Sequence, residues 1–305
     1  MERGDHLSEI LDFVEVRSAV SGGSVVEGRW RTASTIDNDL KFIAVVHGSA
    51  RLQVDGVPEV VELGSGDVAV LNGRSWLKIE GGQGDDEPRD VEPPDIAAAL
   101  PSEPLAGDVD ALIGGRIDFD PVGREFLLRT LPPLLHARAE DEAGRFLHGH
   151  VRRIFDELVD RRPGAEFAVR QHAQLLVLEI IRWLSADADL PAGWLAASTD
   201  ETLRPALTAM HSRPERAWRL EELAHIASMS RTTFAERFRK AAGIPPRAYL
   251  HDWRMFVAQR ALRSSDTSVE TLARAAGYRS ASSFSTAFKK HVGESPLNYR
   301  ATMSR

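Results

Sequence analysis

The chain has no cysteine among its 305 residues. Disulfides and thiolate metal sites are therefore excluded, and a reducing, cytoplasmic setting fits that absence. It also lacks a long apolar run. The stretch Gln174–Leu184 is cut by Glu179 and Arg182, so it reads as a soluble helix and not as a membrane span. Residues 1–20 carry acids throughout and lack an apolar h-region, so no signal peptide is expected. There is no Gly-x-x-x-x-Gly-Lys-Ser/Thr phosphate loop and no Gly-x-Ser-x-Gly nucleophile elbow. Gly64-Ser65-Gly66 reads as a hairpin turn. His148-Gly149-His150 is the one metal-like spacing, but residues i and i+2 of a helix point apart, and no carboxylate or cysteine partner is evident. No catalytic residue, metal or cofactor is expected.

What is present fits a soluble globular protein long enough for two domains, with 43% hydrophobic and 27% charged residues. The net charge of −7 conceals an asymmetry. From Leu203 to Arg305 there are 18 Lys and Arg against 8 Asp and Glu, a net of +10, so the rest of the chain stands at −17. A basic C-terminal third on an acidic protein suggests a polyanion-binding module attached to something else.

Residues from about Ser8 to Ile79 read as short strands. Val14–Arg17, Ala44–Val46, Ala50–Val54 and Val60–Leu63 are rich in β-branched residues and partly alternating. Ser21-Gly22-Gly23, Asp55-Gly56, Gly64-Ser65-Gly66 and Asn72-Gly73 are the expected turns between them. Strands spaced this way suggest a sandwich or small barrel. Gly81 to about Pro104 reads as a loop, and Gly115–Phe119 as one more strand. The period then lengthens, and Glu125–Arg138, Glu142–Arg161 and Phe167–Ser185 read as helices. Leu175, Leu176, Ile180, Ile181 and Leu184 form a wide apolar stripe, either the buried face of an intradomain helix or a dimer interface. Ser185–Thr202 reads as a connector broken by Pro191 and Gly193.

The C-terminal third contains an internal repeat. Leu223-Ala224 and Ala227 match Leu272-Ala273 and Ala276 at a separation of 49 residues. After one inserted residue, Phe234, Phe238, Lys240, Gly243, Pro246 and Tyr249 match Phe284, Phe288, Lys290, Gly293, Pro296 and Tyr299 at 50. Each copy reads as a helix-turn-helix. Leu and Ala of the first helix face a core, and a small Ala-Ser or Ala-Gly pair allows a sharp turn. Ser230 or Ser280 caps the second helix. Phe at i and i+4 turns inward, and Gly243 or Gly293 stops the helix. The outward residues are then Arg231, Thr232, Ala235, Glu236 and Arg239 in the first copy. In the second they are Ala281, Ser282, Ser285, Thr286 and Lys289. That arrangement suits a major-groove reader, with base edges at the first turns and phosphates at the flanking cations. Arg231 can donate to guanine and Glu236 can accept from cytosine. The small Ser and Ala face of the second copy promises few strong base contacts. Pro246–Ser264 reads as a stiff helix of about 27 Å, a spacer suited to two recognition helices about one DNA turn apart.

These residues resemble the AraC/XylS family of transcription regulators. The likeness is carried by Arg254, Ala258, Ala261-Leu262, Leu272-Ala273, Gly277-Tyr278, Ser280, Phe284, Phe288-Lys289-Lys290, Gly293 and Ser295-Pro296-x-x-Tyr299-Arg300. It covers about Leu203–Thr302. It implies a seven-helix DNA-binding domain with two helix-turn-helix units; Ser280, Lys290 and Arg300 are also expected among the DNA-contacting residues. Val46–Gly56 and Gly66–Leu71 are similar to the cupin-type sensor domain of one branch of that family. Metal-dependent cupins hold their ion with a His-x-His pair, a Glu and a later His. Here Ser34-Thr35-Ile36-Asp37 has no histidine, Lys41 stands about where the Glu would fall, and Trp76 near the last His.

The expected fold class is α+β and multidomain. A cupin-like β-barrel or jelly roll spans 1–120, a helical extension with a possible dimerisation role spans 121–190, and a linker spans 191–202. An all-α DNA-binding domain spans 203–305, with helix-turn-helix units at 220–241 and 269–291. Trp30, Phe42, His47, Arg51, Trp76 and Lys78 are the candidates for an effector pocket. The function implied is sequence-specific transcriptional regulation, controlled by a small-molecule effector or by dimerisation. The alternatives are a metal-dependent cupin enzyme with a DNA-binding tail and a DNA-binding dimer without an effector. The partners implied are double-stranded DNA, an effector, a second copy of the chain and, for an activator, RNA polymerase; a membrane is not among them.

Overall fold

The computed structural model describes residues 8, 11, 14, 16–84, 86–92, 109–119, 124, 127, 128, 130–186 and 190–303. The chain divides into two compact units, one spanning Val14–Ala186 and the other containing Asp187–Arg305.

The first unit holds two five-stranded sheets. Its strands are β1 (Val16–Glu27), β2 (Trp30–Thr35), β3 (Leu40–His47), β4 (Ser49–Val54), β5 (Val57–Gly64), β6 (Val68–Asn72), β7 (Trp76–Gly81), β8 (Arg89–Asp90), β9 (Val109–Phe119) and β10 (Leu134–Ala137). One sheet runs β1-β9-β3-β6-β10 and the other β5-β4-β7-β2-β8. Alternate residues of both point inward and close a shared core that includes Ile43, Val45, Leu52, Leu71, Leu77 and Leu112. Buried Asp110 ties the sheets together, accepting from the Trp30 indole at 2.7 Å and the Ser49 amide at 2.9 Å. Two helices, α1 (Glu142–Asp160) and α2 (Ala165–Ser185), pack on each other and on β1. The Gln174 side chain donates to the Val14 carbonyl at 2.7 Å.

Several sequence expectations differ from the structure. Ser21-Gly22-Gly23 is not a turn but the middle of β1, with Gly22 opposite Gly114 on β9. A glycine signals a turn only where no partner strand claims it. Ser8 and Leu11 are helical, so the described strands begin at Val16. The helix expected over Glu125–Arg138 gives way to a strand after Pro132-Pro133. Two prolines in succession remove amide donors and force extended backbone, and Leu134–Ala137 pairs with β6. The apolar stripe of α2 buries Leu176, Ile180, Ile181 and Leu184 but leaves Leu175 exposed.

The second unit begins with α3 (Trp194–Thr199), inside the stretch expected to be a linker. Trp194, Leu195 and Ala197 are buried, and Asp200 grips the Arg237 guanidinium at 2.7 and 3.1 Å. Seven further helices follow among the described residues: α4 (Arg204–Ser212), α5 (Leu220–Ile226), α6 (Arg231–Ala242), α7 (Pro246–Ser264), α8 (Val269–Ala275), α9 (Ala281–Val292) and α10 (Pro296–Met303). No helix among the described residues is long and apolar enough to cross a membrane.

Candidate nucleic-acid interface

The repeat in the sequence is a repeat in space. The pair α5–α6 forms the first copy and α8–α9 the second. Ser230 accepts the Thr233 amide at 3.2 Å and Ser280 accepts the Ser283 amide at 3.2 Å, so each second helix is capped by the expected serine. Gly243 at φ 75° and Gly293 at φ 95° end those helices in left-handed backbone. Phe234 and Phe238 have ring centroids 5.7 Å apart, as do Phe284 and Phe288. Tyr249 meets Phe238 edge-on at 5.4 Å, and Tyr299 meets Phe288 edge-on at 5.6 Å. All four phenylalanines are fully buried. They build the core and fix which face of α6 and α9 looks outward.

The outward face of α6 carries Arg231, Thr232, Glu236 and Arg239, all exposed, with Ala235 half-buried between them. Arg231 approaches Glu221 of α5 at 3.2 Å, with both side chains well exposed, a contact water readily competes with. The outward face of α9 carries exposed Ser282, Thr286, Lys289 and Lys290, with Ala281 and Ser285 half-buried. Thr286 turns its hydroxyl back to the Ser282 carbonyl at 3.0 Å. Basic residues close both helices: Arg239 and Lys240 in α6, Lys289 and Lys290 in α9. They suit the helix dipole as well as a phosphate.

Arg300 departs from the expected set. It is half-buried, and its Nη2 donates to the Thr267 carbonyl, so it fastens α10 to the segment before α8. A guanidinium spent on a backbone carbonyl is a clamp. Arg254 is a second clamp, donating from α7 to the Pro214 and Arg216 carbonyls at 2.6 and 3.0 Å. Arg237, which sequence reasoning missed, is held by Asp200 across 37 residues of sequence. No local pattern announces such a pair. Burial pushes the Tyr249 phenol up from its ordinary pKa, and its hydroxyl lies 3.0 Å from the His211 Nε2.

The described cavity is lined largely by residues other than the expected ones. A cavity of about 210 Å³ lies between the two sheets, at the end where β1 and β9 face β2 and β7. Of the six candidates only Trp30 lines it. Phe42 is buried and lies over Gly115, on the opposite face of β3 from the cavity residues Lys41 and Ile43. His47 is half-buried away from the cavity. Arg51 points outward toward Glu62 and Glu80 at 3.7 and 3.8 Å. Trp76 is 44% exposed, and Lys78 pairs with Glu80. Alternation explains why Trp76 and Lys78 do not line it, because Leu77 and Ile79 take the inward positions that flank them.

His148 and His150 do not converge. His150 turns to His172 of α2, with their Nδ1 atoms 3.5 Å apart. Among the described residues, His251 and Asp252 of α7 and His291 of α9 are the one group of three whose potential ligand atoms lie within 4.8 Å of one another.

Residues 5–186 match the model of the cupin family, and residues 223–302 match that of a helix-turn-helix domain family. The chain is 32% identical to a Streptomyces lividans protein named as an AraC-like transcription regulator, over 97% of this chain and 98% of that one. It is 34% identical to a protein of the same description from Streptomyces antibioticus, again over 97% and 98%. The DNA-binding domain of the global transcriptional factor AdpA, solved with a target DNA, is 35% identical over 34% of this chain and 93% of its own, with a TM-score of 0.32.

Proposed function

The chain belongs to the AraC-like transcription regulators, its first unit being a cupin domain and its second a DNA-binding helix-turn-helix domain, and from that premise we propose that it reads a promoter with two unequal recognition helices under the control of a small molecule held between its β-sheets. The observation that carries the reading is the duplicated core, which presents α6 and α9 in equivalent settings. Arg231, Thr232, Ala235, Glu236 and Arg239 form the stronger reading face. Ser280, Ala281, Ser282, Ser285 and Thr286 contribute mainly fit and position, while Lys289 and Lys290 hold phosphate. The 19-residue helix α7 separates the copies, and its length of roughly 28 Å suits two successive major grooves.

The protein acts in the cytoplasm and is not an enzyme. Supporting this, the relatives it matches are named as transcription regulators. Lys41, which the sequence resemblance sets about where metal-dependent cupins have their Glu ligand, lines the cavity. Stoichiometric iron, nickel or manganese in the purified protein would contradict that part. Regulation requires the small molecule to bind two conformations or assembly states unequally. Exposed Phe146, Phe167 and Leu175 on α1 and α2 favour assembly through the helical layer, with a second copy as partner.

Selection of genome fragments with the full chain in about 150 mM salt tests the reading. Enrichment of one motif with two half-sites about ten base pairs apart is the expected result. Salt-sensitive binding with no preferred motif would reduce the second unit to a generic basic module.

A further inference from the structure

The cavity between the sheets exists because two strands withhold side chains there. Gly22 stands opposite Gly114 on the β1–β9 ladder, and both line the space. A Cβ built on Gly114 would meet nothing within 4 Å. Elsewhere the same interior is filled by large apolar residues. An engineered cavity of about 150 Å³ holds benzene, so about 210 Å³ admits a molecule of roughly ten non-hydrogen atoms.

The chemistry of the wall is two-sided. Val20, Val26, Ile43, Leu77, Ile79 and Leu112 supply apolar surface. At one place two cations stand together, Lys41 of β3 directly opposite Arg116 of β9, both lining the space. Like charges at opposed positions of a sheet repel. Burial first, and then the Arg116 charge, hold the Lys41 ammonium below its ordinary pKa, with Asp37 opposing.

Little in the protein answers these charges. The Lys41 ammonium makes no hydrogen bond or ion pair among the described residues, burial and the charges of Arg116 and Asp37 alone moving its pKa. Among the described residues the Arg116 side chain, itself 40% exposed, reaches only Asp118, at 4.0 Å, and that carboxylate already accepts from Ser18 at 2.7 Å. The Arg116 Nε is buried without an acceptor, and so is the Thr32 hydroxyl on the facing sheet. The acid among the lining residues, Glu92, is exposed to solvent. Buried donors without acceptors are costly, so the site is arranged for an acceptor that arrives from outside.

We propose that this cavity binds a small organic anion, its carboxylate or equivalent oxyanion held between Lys41 and Arg116 and its apolar body lying against Ile43, Ile79 and Leu112. The inference rests on the reading of the β domain as the sensing part, and it names the class of molecule sensed.

Calorimetric titration of the full chain tests it with matched probes: octanoate against 1-octanol, and phenylacetate against 2-phenylethanol, to millimolar concentration. The acids bind about tenfold or more tightly than their alcohols, the usual advantage of a charge-assisted hydrogen bond. Lys41→Met and Arg116→Gln each erase that preference. Gly114→Leu fills the cavity and abolishes binding of acids and alcohols alike while the melting temperature holds. If Lys41→Met fails to fold, the wild-type comparison of acid with alcohol and the Gly114→Leu variant still decide. Equal binding of acids and alcohols would overturn the anion while leaving a sensing cavity. A preference that survives in both charge variants, or binding that survives Gly114→Leu, would place the anion elsewhere. No heat from any of the four probes would overturn both the anion and the sensing role of the β domain, without touching DNA recognition by the second unit.

Discussion

The first helix-turn-helix copy turns on Ser228 at φ 54°, the second on Gly277 at φ 74°, and both pass the same hydrogen bond across the turn. Met229 donates to the Ala224 carbonyl at 2.9 Å, and Tyr278 to the Ala273 carbonyl at 2.8 Å. The inserted residue of the second copy is therefore Arg279, beyond the turn itself. Inside, the copies agree in aromatic spacing. Outside, Arg231 and Glu236 of the first are answered by Ala281 and Thr286 of the second. Close packing tolerates little change in volume, whereas an exposed face is free to diverge. The comparison teaches that one scaffold has been kept twice while its outward face has diverged, which is the basis for proposing that reading is concentrated in one copy.

The strongest way to break this comparison is through the cores. Phe234→Ala and Phe284→Ala should each cost about 3–5 kcal/mol, because both rings are fully buried. Denaturant titration checks this, and a large cost at one site with almost none at the other would show that the copies are not equivalent. Next comes the second turn. A Cβ on Gly277 would stand 2.5 Å from the Glu215 carbonyl and 2.9 Å from an Arg254 nitrogen. Gly277→Ala should therefore destabilise by about 2–3 kcal/mol, combining left-handed backbone with a close contact. A melting temperature equal to that of the unaltered protein would refute that geometry.

The repeat was legible in the sequence because its determinants are local. A capping serine, two phenylalanines one helical turn apart and a terminal glycine lie within fourteen residues, and the structure uses each as expected. The sandwich was legible as a class, but its faces were not. The sheet containing β3 is covered on both sides, by the other sheet and by helices, so alternation separates Phe42 from Lys41 and Ile43 without saying which set lines a cavity. Gly22 looked like punctuation because its partner Gly114 is remote in the chain. That Arg300 also fastens its helix was not legible, because its acceptor, the Thr267 carbonyl, belongs to a loop that no side-chain pattern reveals.

The smaller effects concern the outward faces. Glu236→Ala should lose about 1–3 kcal/mol of discrimination at one base pair, while Thr286→Ala changes preference little, its hydroxyl being returned to its own helix. Competition binding against single-base variants of the selected site measures both. Lys290→Ala should weaken every sequence alike and lower the salt slope by about one, read from affinities across a salt series; a loss confined to one sequence would assign it to a base. Ser228→Gly should shift stability by no more than about 1 kcal/mol, since relief of left-handed strain is offset by a more flexible unfolded chain, and a larger loss in thermal melts would mean that the Ser228 side chain holds the turn.

The central claim is that two structurally equivalent units read DNA unequally. The most direct test substitutes every base of the selected site in turn and measures affinity for the full chain and for Glu236→Ala. The account predicts one half-site with sharp preferences and one with shallow preferences, the sharp half-site flattening at a single position in the variant. Two half-sites of equal sharpness, or a variant with an unchanged profile, would contradict it.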